Sequence, residues 1–167
     1  LACEDIAMAS TTFSGPVTST AGFITGSDSL VSVTADVTLT SASHAGRTMV
    51  LGVASGATVT LPAASGTGNI YRFFVSTTVT SNNYVIQVAN GNDTMAGLAI
   101  VANDTDNSAS IFETAAASDT ITLNGTTTGG LLGGTIEIQD VASNVFSVVA
   151  RGAATGTEAT PFSAAVS

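Results

Sequence analysis

Lysine and tryptophan are absent from this chain of 167 residues, and cysteine and histidine occur once each. The only cations are Arg47, Arg72 and Arg151, against twelve carboxylates and a formal net charge of −9. Contact with a phosphate backbone rests on Lys and Arg displacing counterions, so neither nucleic acid nor an anionic membrane is expected as a partner. A lone Cys3 cannot close an intrachain disulfide. Leu1-Ala2-Cys3 has the form of the end of a lipoprotein signal, but no basic or apolar stretch stands before it, and a single free thiol is the expectation. One histidine and one cysteine far apart cannot supply the three or four N/S ligands of a transition metal. No run of about 18 apolar residues occurs, so no membrane-spanning helix is expected.

The same absences bear on catalysis. Nucleophilic catalysis needs a base beside the nucleophile, and His44 lies in Ser41-Ala42-Ser43-His44-Ala45-Gly46, where a turn between strands is expected. Ser55 stands in Gly52-Val53-Ala54-Ser55-Gly56, whose spacing is not that of the Gly-x-Ser-x-Gly elbow. Carboxylate spacing alone does not exclude sugar hydrolysis, but only Tyr71 and Tyr84 could add to an aromatic platform. No catalytic residue and no cofactor is expected, and the chain reads as a non-enzyme.

What is present is a surplus of Thr, Ser, Ala, Gly and Asn. Charged residues make up 9%, against about 25% in an ordinary soluble domain. Ser and Thr lose little rotamer entropy when covered, which suits a surface made for permanent contacts. A chain of this length buries roughly two thirds of its unfolded surface and needs no staple to fold.

Residues 1–29 are rich in Ser, Thr, Ala and Gly, carry Pro16 and show weak periodicity, so they read as an extended N-terminal arm tied down by a neighbouring subunit. Residues 30–167 read as one β-domain. Val31, Val33, Ala35, Val37 and Leu39 alternate with Ser32, Thr34, Asp36 and Thr38, the period of a single half-buried strand. Further strands are predicted at Thr48–Val53, Ala57–Leu61, Ile70–Val75, Tyr84–Val88, Gly97–Val101, Ser110–Glu113, Thr120–Leu123, Thr135–Gln139 and Val145–Val149. About ten short strands at roughly 8–12-residue spacing predict an all-β, antiparallel sandwich or barrel. The alanines at 115–117 could form one helical turn.

Several motifs invite chemistry. Asp104-Thr105-Asp106-Asn107-Ser108 alternates oxygen donors as a calcium loop does, making Asp104, Asp106 and Ser108 a weak calcium candidate. Ala109 replaces the required glycine and no bidentate Glu follows, so an acidic turn is the plainer reading. Gly66-Thr67-Gly68-Asn69 could cradle a phosphate only ahead of a helix, and a strand follows, which favours a hairpin turn. The Asn-x-Thr triplets at Asn92, Asn103 and Asn124 are explained as turns. Arg72 interrupts Tyr71, Phe73 and Phe74. It either pairs with a carboxylate across a subunit interface, where its planar fork fixes geometry, or lies on the solvent face with its stem over apolar neighbours. Arg72, Tyr71 and, in the arm, Phe13 and Phe23 are the candidate interface residues.

Thr58-Val59-Thr60-Leu61-Pro62 with Gly66-Thr67-Gly68-Asn69-Ile70-Tyr71-Arg72-Phe73-Phe74-Val75 resembles a module of small virion proteins of tailed phages. The run Thr120-Ile121-Thr122-Leu123-Asn124-Gly125 through Gly134-Thr135-Ile136-Glu137-Ile138-Gln139-Asp140 looks like its second half, although two hairpins would give the same pattern. Gly156-Thr157-Glu158-Ala159-Thr160-Pro161-Phe162 has the same look. The resemblance implies a capsid decoration or cement protein on the outer surface of the virion, with the major capsid protein and itself, as a homotrimer, for partners. It carries over no catalytic residue. A glycan- or receptor-binding head-fibre or tail-fibre module and the subunit of an extracellular β-rich filament are the alternatives.

Overall fold

The computed structural model of the chain describes residues 29–166. Twelve strands form two sheets. Across the seven-stranded sheet run β1 (Leu30–Val33), β3 (Thr48–Leu51), β5 (Ile70–Val75), β10 (Thr135–Ala142), β11 (Val145–Ala153), β7 (Thr94–Ala102) and β8 (Ala109–Glu113). The five-stranded sheet runs β12 (Phe162–Ser163), β9 (Thr120–Leu123), β6 (Tyr84–Gln87), β4 (Ala57–Thr60) and β2 (Val37–Thr38). A single turn of helix, α1 (Ser41–His44), precedes β3, while residues 115–117 form a turn without helix.

The all-β expectation holds, but the sheets are mixed rather than antiparallel. From β1 to β6 the chain alternates between the two sheets, so that β1, β3 and β5 are mutually parallel, as are β2, β4 and β6. A parallel pair needs a crossover, and here a strand in the facing sheet supplies it in place of the usual helix. The second half turns back on itself: β10 pairs antiparallel with both β5 and β11, and β9 with both β6 and β12. Asn144, at φ 63°, makes the tight turn from β10 to β11.

The strand predicted from Leu30 to Leu39 is two strands in different sheets, β1 and β2. The chain bends between them, and the Asp36 carboxylate accepts the Thr58 N–H at 2.7 Å, fixing the bend against β4. Alternation continues through the bend because both strands turn alternate residues inward, and a period of two does not register the change of sheet.

One apolar core lies between the sheets. Tyr71, Phe73 and Val75 point inward from β5, Val59 from β4, Ile86 from β6, Ile121 from β9, Ile138 from β10 and Phe146 from β11, all essentially buried. In β5 the pattern is strict: Tyr71, Phe73 and Val75 are buried, while Arg72 and Phe74 face outward. Among the described residues no helix is long and apolar enough to cross a membrane.

Two buried carboxylates replace the hairpin expected at Gly66-Thr67-Gly68-Asn69. This segment links β4 in one sheet to β5 in the other, so β4 and β5 are not a hairpin. Its four consecutive N–H groups from Ala64 to Thr67 are all taken by aspartates. Asp93 accepts from Ala64 at 3.0 Å, and Asp140 accepts from Ser65 at 3.0 Å, Gly66 at 2.7 Å and Thr67 at 3.0 Å. The Thr67 hydroxyl adds a 2.6 Å bond to Asp140. The glycines at 66 and 68 adopt φ of +74° and +75°, which lets the backbone curl around an anion. The loop does cradle an anion, and it is the chain's own carboxylate. A third buried aspartate, Asp119, accepts the N–H groups of Ala165 and Val166 at the end of the described chain. Strands β9 and β10, likewise expected as a hairpin, also lie in different sheets.

Candidate interface

The outward residues of the seven-stranded sheet form straight rows set by the strand register. One row runs Ser32, Val50, Phe74, Thr135, Arg151, Ile100, Ile111. The next runs Leu30, Thr48, Arg72, Glu137, Val149, Leu98, Glu113. Leu30, Phe74, Ile100 and Ile111 are 62, 38, 36 and 64% exposed. Large apolar side chains alternating with charged ones over a whole sheet face differ from the scattered surface hydrophobics found on any protein. A groove of about 470 Å³ crosses this face, lined by Leu30, Val50, Arg72, Phe74, Glu137 and Arg151.

Arg72 is on this face, with its Nε donating to Glu137 Oε2 at 2.9 Å on the adjacent strand. Its carboxylate partner is therefore within the chain. Both side chains are close to half exposed, so the pair fixes the direction of the guanidinium more than it stabilises the fold, contributing about 0–1 kcal/mol. Tyr71, the other interface candidate among the described residues, is 1% exposed and faces the core, its hydroxyl 3.3 Å from that of Ser41. It offers no surface to a partner. Phe13 and Phe23, like Cys3, lie outside the described residues. The residues that pattern reading missed are Arg151, Ile100 and Ile111. Each sits outward on a strand it had recognised or nearly so, but only the register of distant strands brings them beside Phe74.

The calcium candidate does not gather into a cage. Asp104 accepts the Gly156 N–H at 3.2 Å, and Asp106 accepts the Ser108 N–H at 2.9 Å together with the Ser108 hydroxyl. The Ser108 hydroxyl and N–H hold the Asp106 carboxyl below its usual value, so the turn already satisfies this group. No three His, Cys, Asp or Glu side chains among the described residues are placed to hold a metal ion. His44 lies in α1, where its Nδ1 accepts the Thr40 N–H at 2.9 Å, a contact that caps the chain locally. Between the sheets, a void of about 20 Å³ lined by Val75, Leu123, Ile136 and Ala150 has room for about one water.

The electrostatics of the Asp140 cradle can be stated by cause. Burial pushes its carboxyl upward, but the Thr67 hydroxyl and the N–H groups of Thr67, Gly66 and Ser65 outweigh burial and hold it below the ordinary aspartate value. A carboxylate bonded in this way anchors the loop and is not poised to take a proton from a substrate.

Comparison of the chain with protein-family models, with curated proteins and with solved structures found no match.

Proposed function

We propose that this protein is a structural virion component, a decoration or cement protein that binds the outer surface of a phage capsid, self-associates, and acts without catalysis or cofactor. The observation that best supports this reading is the outward face of the seven-stranded sheet, where apolar side chains and a fixed arginine–glutamate pair are spread over a rigid body whose crossing loops are pinned by buried carboxylates.

The mechanism is mass action. A protein that binds the assembled shell better than its separated subunits stabilises the shell by the difference in binding free energy. Many copies bridging adjacent capsomers add through multivalency even where each contact is modest. An acidic, lysine-free surface also limits adhesion to nucleic acid. Copy number tests the reading: a stained gel of purified particles should show this chain in numbers comparable to the major capsid protein. A few copies per particle would instead fit a fibre or tail tip, and its absence from particles would refute the reading.

A further inference from the structure

We infer that the outward face of the seven-stranded sheet is where a second copy of this chain docks. The inference deepens the self-association in the proposed function by naming its surface. It needs no capsid, so it can fail or succeed independently of the capsid role.

Charge singles out the occupant. The chain as a whole carries −9, yet the two outward rows hold Arg72 and Arg151 against Glu113 and Glu137, two charges of each sign. Two of the molecule's three cations are gathered on this one face. Elsewhere the exposed charges of the described residues are the carboxylates Asp36, Asp104 and Asp106, with Arg47 and Glu158 half-buried. Copies meeting through a patch that holds Asp36, Asp104 or Asp106 would bring carboxylates together, whereas this face can meet its own counterpart with arginine set against glutamate. A nucleic acid would find too few cations here, and a strongly basic partner would prefer the acidic surface elsewhere.

The chemistry of the face agrees. Phe74 and Arg151, an aromatic and an arginine near its centre, are residue types enriched at interfaces. Among the described residues Arg151 makes no ion pair, which leaves its guanidinium for a carboxylate of the neighbour. Size agrees as well: seven strands at about 4.8 Å spacing, each roughly 20 Å long, give a face of about 500–700 Å², close to the ~800 Å² that each partner contributes to a standard interface.

Sedimentation velocity of the full chain over a wide concentration range, at moderate salt, tests this. The wild type should sediment as a species of more than one 16.4 kDa chain. Phe74→Asp and Arg151→Glu should each weaken association by about tenfold or more, and circular dichroism and melting should show that both variants fold. Thr38→Glu, exposed on the five-stranded sheet, should leave association unchanged. A wild type that stays monomeric throughout overturns the inference. So does an oligomer that survives both face variants, or one that Thr38→Glu disrupts equally.

Discussion

Asp140 shows how single residues hold this molecule together. Three backbone N–H groups and a hydroxyl converge on its buried carboxylate. Asp140→Asn keeps the shape but replaces one accepting oxygen with a donor that faces other donors, and it should lower stability by about 2–3 kcal/mol in urea unfolding. The pH dependence follows from the depressed carboxyl. Its folded pKa lies below the ordinary value of 3.8, so its contribution is complete above that value and is lost as the pH falls through the folded pKa. Acid unfolding monitored by circular dichroism should therefore carry a contribution from this carboxyl in the wild type that is missing in Asp140→Asn. Gly125 is a second such point. At φ +76°, with the position of a Cβ only 1.8 Å from the Val79 carbonyl oxygen, Gly125→Ala should cost about 2 kcal/mol or more, read as a lower Tm. In the sequence Gly66-Thr67-Gly68 was visible as a turn signal, and Asp140 only as a residue following a predicted strand. Their meeting was not, because side chain–backbone pairs more than seventy residues apart leave no local pattern.

At the scale of elements, most strands were legible because each buries one face, and a period of two records this wherever the strand lies. Strands β5 and β9 coincide with the predicted segments. Strand direction was not legible: alternation is identical in parallel and antiparallel neighbours, so the coiled first half of the chain passed for hairpins. The split of residues 30–39 between two sheets was hidden for the same reason. Adjacent phenylalanines on β5 test the assignment of faces. Phe73, 1% exposed and turned inward, should cost about 3–5 kcal/mol as Phe73→Ala. Phe74→Ala, on the outward face, should change the unfolding free energy of the monomer by less than about 1 kcal/mol. Equal losses would mean that the face assignment is wrong. Replacing Arg72 by Ala should likewise cost no more than about 1 kcal/mol, since its partner Glu137 is also exposed.

For the whole molecule, composition spoke more clearly than any motif. The scarcity of cations argued against a nucleic-acid partner, but it did not reveal that Arg72 and Arg151 share one sheet face, because that depends on the order of strands β5, β10 and β11. The candidate site was therefore half legible: Arg72 stood out by interrupting an aromatic run, while the surface around it emerged only with the sheet. The function proposed for the molecule is that of a passive body that strengthens a larger shell by binding it. Thermal disruption of capsids lacking this protein, followed by release of packaged DNA with and without the purified chain added back, tests that claim most directly. Saturating protein should raise the disruption temperature. An unchanged disruption temperature at saturation would contradict it.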